Sequence, residues 1–225
     1  KLGTIDTISG LTVYVYQHGL INYATVNCIT GNTSITTAGN YAIRNMAGWY
    51  YDTQIIKGTP TDANNVKTTV YTFDTENFPT IKEISGNVTV TTTGAKSSYA
   101  IWNSGNIEKI SGDMNGDGIL ITRPDGSYTL ENSGYIGEIS GKVTIYSSGE
   151  YVLMQNIWGS SNARQIGQTY IQKDVNKDGT YTSVGDIREY TYEYTAPVID
   201  KIGGGNSKVT ISGTKNVLYN FGTIN

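Results

Sequence analysis

The chain has 225 residues, a net charge of −3, 16% charged residues, 27 Gly and 18 Tyr. Disorder is excluded, because disordered chains are rich in charge and poor in aromatics. A basic nucleic-acid footprint is excluded by the charge, direct membrane insertion by the lack of any apolar run near ~20 residues, and an internal disulfide framework by the single Cys.

Read from the N-terminus, one phrase recurs: Ile-x-x-Ile-x-Gly. It starts at Ile5, Ile81, Ile107 and Ile136, with variants at Val26 and Ile199. Uninterrupted copies are spaced by 21 residues (Ile5 to Val26), 26 (Ile81 to Ile107) and 29 (Ile107 to Ile136). After each phrase comes an alternating segment such as Val13-Tyr14-Val15 or Val88-Thr89-Val90. Then comes an aliphatic residue two before an Asn: Leu20/Asn22, Ile43/Asn45, Ile101/Asn103, Leu130/Asn132, Met154/Asn156 and Leu218/Asn220. Period-two alternation predicts strands with one buried face. A unit of three short strands cannot bury that face alone, so units must stack. The predicted fold is all-β: a right-handed parallel β-helix (β-solenoid) of about six coils, forming a single domain over residues 1–225.

Stacking makes two demands. Buried corner amides should bond from coil to coil, so Asn22, Asn45, Asn103, Asn132, Asn156 and Asn220 are predicted to form a ladder. Facing charges should alternate, since opposed like charges destabilise. The third residue of the phrase reads Thr7, Cys28, Glu83, Lys109, Glu138, Lys201, alternating in sign over its last four members.

Two segments, about 49–79 and 158–197, interrupt the repeat after the corner Asn and return through Pro79 and Pro197. Their alternating aromatics predict a β-hairpin or small sheet in each. Insertions on a regular scaffold commonly carry function, and Tyr and Trp give rigid amphipathic contact surface. Trp49, Tyr50, Tyr51, Trp158, Tyr190, Tyr192 and Tyr194 are therefore the predicted ligand-binding residues. The chain begins at Lys1 and ends at Asn225 at the same corner of the repeat, which predicts a natural protein that continues beyond one or both ends.

Two Asp-rich loops match the opening of a calcium loop, in which alternating oxygen ligands and a Gly turn wrap a hard cation. The candidate ligands are Asp113, Asn115 and Asp117 in one, and Asp174, Asn176 and Asp178 in the other, for a structural Ca2+. The acid expected at loop position twelve is replaced by Pro124 and Gly185, and the same residues also suit simple turns. His18, the only His, stands where other units carry Tyr41, Tyr99 and Tyr128, which predicts a packing or corner role. With one His and no G-x-S-x-G elbow, no nucleophilic triad is predicted. Cys28 lies at an outward strand position. Asp113, Asp117 and Asp125 are the only dense acidic cluster in the coils, and would carry an alternative reading as a polysaccharide lyase or glycoside hydrolase.

The phrases Ile-Ser-Gly-Asn-Val-Thr-Val (84–90) and Tyr-Ala-Ile-Trp-Asn-Ser-Gly-Asn-Ile-Glu-Lys-Ile-Ser-Gly (99–112) resemble the repeats of bacterial surface β-helix proteins. Autotransporter passenger domains and adhesin-like proteins are the nearest. The resemblance implies an extracellular or bacterial cell-surface location and a non-enzymatic role in adhesion, with a host glycan or surface protein as partner.

Overall fold

The structure is a computed structural model. It describes residues 3–46, 51–52, 67–73, 79–94, 98–126, 128–155, 163–172, 187–194 and 196–225; for 51–52, 67–73, 163–172 and 187–194 the description is of strand backbone. Every regular element among the described residues is a strand.

The sequence repeat is visible as a repeated three-strand round. β1 (Thr4–Ser9), β2 (Thr12–Val15) and β3 (His18–Asn22) are followed by β4 (Thr25–Thr30), β5 (Asn32–Thr37) and β6 (Tyr41–Asn45). Outside the repeat come β7 (Tyr51–Asp52) and β8 (Lys67–Phe73). The repeat resumes with β9 (Thr80–Thr92), β10 (Tyr99–Asn103), β11 (Asn106–Gly112), β12 (Ile119–Arg123), β13 (Leu130–Asn132), β14 (Tyr135–Ser147) and β15 (Leu153–Gln155). It is interrupted again by β16 (Ala163–Gln172) and β17 (Ile187–Tyr194), and ends with β18 (Val198–Ile202), β19 (Lys208–Ser212), β20 (Leu218–Asn220) and β21 (Thr223–Ile224).

The chain divides into two compact units. The first, Lys1–Gly48 with Phe78–Asn162 and Thr195–Asn225, is a parallel β-solenoid-like stack with three faces. The first face runs β1-β4-β9-β11-β14-β18-β21 and carries the Ile-x-x-Ile phrase, with Ile84, Ile110 and Ile139 in one file and Ile81, Ile107 and Ile136 in another. The second face stacks β2, β5, β9, β12, β14 and β19. The third runs β20-β15-β13-β10-β6-β3. Their inward Ile, Val and Leu side chains meet in one core; Ile84, Ile101, Ile121, Ile136 and Leu153 are fully buried. Each such burial stabilises by about 1.5–3 kcal/mol, and every round repeats the same few contributions.

Each corner has its own device. The Gly that closes the phrase turns the chain from the first face to the second: Gly10, Gly31, Gly86 and Gly141 have φ between +62° and +73°, a region that L side chains rarely adopt. At the second corner a buried hydroxyl takes over. Thr37, Thr92 and Ser147 each accept the N–H of a Gly two residues on, and donate to a neighbouring round's carbonyl: Gln17, Gly39 and Gly126 respectively. The Gly is needed there because a Cβ on Gly94 would collide with the Gly39 carbonyl. Arg123 occupies the same row as Ser147 and donates to the carbonyls of Ser98 (2.6 Å) and Gly94 (3.3 Å).

The third corner is the amide ladder. Asn22 donates to Asn45, Asn45 to Asn103 and Asn103 to Asn132, each at 2.8 Å. Each amide also reaches a backbone carbonyl of a neighbouring round: Asn45 to Asn106, Asn103 to Tyr135 and Asn132 to Val198. The register corrects one expected rung. Gln155, not Asn156, lies between Asn132 and Asn220. The buried aliphatic of that round is Leu153, in line with Leu130 and Leu218, so counting from Met154 shifts the frame by one residue. Gln155 is fully buried and donates to the Thr223 carbonyl at 3.1 Å. Asn156 lies outside the described residues.

The charge row on the first face is in register as Cys28, Glu83, Lys109, Glu138, Lys201. Lys109 sits 4.0 Å from Glu83, and Lys201 3.4 Å from Glu138. Exposed pairs of this kind contribute about 0–1 kcal/mol each; their use is to fix the register.

The second unit, Trp49–Asn77 with Ala163–Tyr194, contains one four-stranded antiparallel sheet in the order β17-β16-β8-β7. The two insertions thus share a sheet, with Tyr170 opposite Thr69 and Ile171 opposite Thr68, instead of forming separate hairpins. An isolated two-stranded hairpin is marginal in water, and pooling strands removes that weakness.

Candidate functional site

The core of the solenoid-like unit is aliphatic and complete without any aromatic ring. The aromatics collect outside it, along the third face. Two residues before the aliphatic of each of the first five rounds (Leu20, Ile43, Ile101, Leu130, Leu153) stand His18, Tyr41, Tyr99, Tyr128 and Tyr151. In-register stacking of strands brings them into a file. Centroids are 5.3 Å apart for His18 and Tyr41, 5.8 Å for Tyr41 and Tyr99, 5.8 Å for Tyr99 and Tyr128, and 5.4 Å for Tyr128 and Tyr151. Three of these four pairs are near-parallel, at 15°, 6° and 11°. Tyr219 closes the file edge-on against Tyr151 at 4.9 Å. All six residues are half-buried.

Two members sit on unusual backbone. Tyr128 (φ 65°) and Tyr151 (φ 58°) are the only non-Gly residues with positive φ among those described. Such a conformation costs about 1–3 kcal/mol for a bulky residue. It is retained where a Gly would fold more easily, and what it provides is the ring.

Beside the file lies a polar cluster. Arg44, Trp102 and Glu131 are in register on β6, β10 and β13. The guanidinium carbon of Arg44 is 5.1 Å from the Tyr41 centroid and 4.8 Å from that of Trp102, and these two rings stack at 5.3 Å. Glu131 is 3% exposed. Its carboxylate accepts from the Tyr99 hydroxyl and the Trp102 indole N–H, and from Ser133 at 3.3 Å. Burial pushes the Glu131 pKa up, with these donors pulling against it. Burial also raises Tyr99, assisted by the Glu131 charge. Burial lowers His18, and the Arg44 charge adds to that, so His18 is neutral near pH 7.

The other predicted site residues fall elsewhere. Asp113, Asn115 and Asp117 form the exposed turn between β11 and β12. Asp113 accepts the Asn115 N–H at 2.9 Å, and the Lys142 ammonium donates to the Gly116 carbonyl at 2.7 Å. That ammonium uses an oxygen on the loop and brings a positive charge to it. Among the described residues no three acidic, His or Cys side chains gather as metal ligands. Asp125 lies at the far end of the five-residue β12 from this turn, so the acidic trio does not converge. Asp174, Asn176, Asp178, Trp49, Tyr50 and Trp158 lie outside the described residues. Tyr51 is in β7, opposite Phe73, and Tyr190, Tyr192 and Tyr194 take alternate positions in β17.

No protein-family model, curated protein or solved structure matches this chain.

Sequence reasoning aligned His18 with Tyr41, Tyr99 and Tyr128 but took the alignment as packing. It missed Tyr151, Arg44, Trp102 and Glu131. The available signal was the residue after each buried aliphatic: Arg44, Trp102 and Glu131 break a row whose first member is Ile21.

Proposed function

We propose that this chain is a non-enzymatic, adhesin-like protein of the cell surface or extracellular space. In this reading the first unit is a right-handed parallel β-helix of about six coils. It acts as a rigid support and presents a glycan- or protein-binding strip along its third face. The observation that carries the proposal is the file of six half-exposed rings, from His18 to Tyr219, stepped at 4.9–5.8 Å. Half-exposed aromatic residues with polar groups offer amphipathic contact surface, and such residues are enriched in binding hot spots. The aliphatic core is complete without them, and two of them sit on costly backbone. The aromatics of the insertions would add a second contact region.

The test is a glycan array together with immobilised matrix proteins, probed with wild type and a Tyr128→Ala/Tyr151→Ala variant. The expected result is binding that weakens by about tenfold for each ring removed, the ~1.4 kcal/mol of one stacking contact. Binding unaltered by the double substitution would remove the aromatic strip as its basis.

A further inference from the structure

Glu131 has a chemical capacity that ligand binding does not use. Its carboxylate is 3% exposed and accepts from two side-chain types that are readily oxidised by one electron, the Tyr99 phenol and the Trp102 indole. Ser133 supplies a third donor at 3.3 Å. A phenol gives up an electron at low cost only when its proton leaves at the same time, because the phenol radical cation is a very strong acid. The Tyr99 proton is already shared with an acceptor. Burial favours the neutral acid over the carboxylate, so Glu131 is a good base for that proton.

The charges around the file direct an oxidation toward Tyr99. The guanidinium carbon of Arg44 lies 5.1 Å from the Tyr41 centroid and 4.8 Å from that of Trp102. Like charges repel, so a positive charge left on either ring is disfavoured. Tyr99 meets Tyr41 and Tyr128 at 5.8 Å each, and the file continues through Tyr151 to Tyr219. Rings this close exchange an electron readily, so an oxidation that starts elsewhere in the file can settle where the base is. Tyr135 also donates to a carboxylate, that of Asp200, but on the first face and with no ring stacked on it among the described residues. We propose that Tyr99 and Glu131 form a proton-coupled redox pair, fed by the aromatic file, that takes up one-electron oxidising equivalents from peroxyl-type oxygen radicals. In this step the Tyr99 O–H bond breaks. The electron passes to the peroxyl radical, which takes a solvent proton and becomes a hydroperoxide. The phenol proton passes to a Glu131 oxygen, leaving a neutral tyrosyl radical beside a neutral carboxylic acid. A reductant of the ascorbate class reverses the change: it supplies one electron, releases its own proton to solvent, and Glu131 returns the phenol proton. No bound ligand enters, so this role stands or falls apart from the binding role proposed above.

The experiment is flash photo-oxidation of the intact chain with a ruthenium(III) tris-bipyridyl oxidant, freeze-quenched and read by electron paramagnetic resonance. Wild type should give a long-lived neutral tyrosyl signal that forms more slowly in heavy water, since the proton moves with the electron. Tyr99→Phe and, separately, Glu131→Gln should each lower its yield at least about tenfold, as expected when the barrier to forming it rises. Tyr135→Phe should leave it unchanged. A signal that survives Tyr99→Phe or Glu131→Gln, or that is lost in Tyr135→Phe, overturns the pair, and so does formation at the same rate in heavy water. Peroxyl radicals released by a thermal azo initiator should produce the same signal; its absence there overturns the assigned oxidant. If Glu131→Gln melts early, Tyr99→Phe and the heavy-water comparison decide, because both keep the carboxylate in place.

Discussion

The asparagine ladder and the aromatic file are built by the same device and have opposite characters. Both place one side chain per round in register along the stack. The ladder repeats Asn over four buried rungs before Gln155, and the amides of Asn22, Asn45 and Asn103 each bond to the next rung and to backbone. The file is half-exposed, changes residue type from His to Tyr to an edge-on Tyr, and is flanked by polar residues that share no type. Repetition is what stacking alone selects. The row of Arg44, Trp102 and Glu131 departs from it, and Tyr128 and Tyr151 keep their rings at a cost in backbone energy.

The contrast can be broken at the ladder first. Asn103→Leu removes the donor to Asn132 and Tyr135 and takes one acceptor from the Asn45 amide, all in a fully buried corner. A loss of about 3 kcal/mol is expected, since each orphaned buried group costs about 1–3 kcal/mol, and chemical denaturation would show it. At the hydroxyl corner, Thr92→Val keeps the shape but orphans the Gly39 carbonyl and the Gly94 N–H, for about 2 kcal/mol in the same assay.

The polar cluster should show itself through pH. Burial holds the Glu131 pKa above its ordinary 4.5, so the native state keeps this proton to higher pH than the unfolded chain does. Between those two values the native state binds more protons, and stability falls as pH rises. It levels off above the native value, at about 1.4 kcal/mol per unit of difference. Melting curves of wild type should show that decline from about pH 4.5 upward, and Glu131→Gln should lack it. The smallest effect on folding is expected in the file itself. Tyr128→Gly trades a stacking contact of about 0.5–1.5 kcal/mol for relief of left-handed backbone of similar size, so the melting temperature should barely move. Ligand binding should fall by about tenfold, the ~1.4 kcal/mol of one stacking contact. A large loss of stability there would place the file with the ladder as scaffold.

The fold was legible because stacking writes its demands into every round. The Ile phrase and its closing Gly recur at Ile81, Ile107 and Ile136, and the corner Asn at Asn22, Asn45, Asn103 and Asn132, with little variation. Gln155 was misread because Gln performs the rung's chemistry one methylene longer, while an Asn stood next to it. The Ser/Thr-x-Gly corner, present at Thr37, Thr92 and Ser147, was readable but hidden among many other hydroxyl residues. The aromatic file and its flanking cluster were poorly legible for a physical reason. Arg44 and Trp102 are 58 residues apart with an insertion between them, and only the register of β6 and β10 makes them neighbours.

The alternating row on the first face has an implication for how such a chain can change length. Glu83, Lys109, Glu138 and Lys201 each face an opposite charge. Excising the single round that carries Lys109 would bring Glu83 against Glu138, whereas excising it together with the next would bring Glu83 against Lys201. Over this stretch the electrostatic match survives the loss or duplication of rounds in twos and is spoiled by ones, which gives the repeat a parity that its hydrophobic pattern does not have.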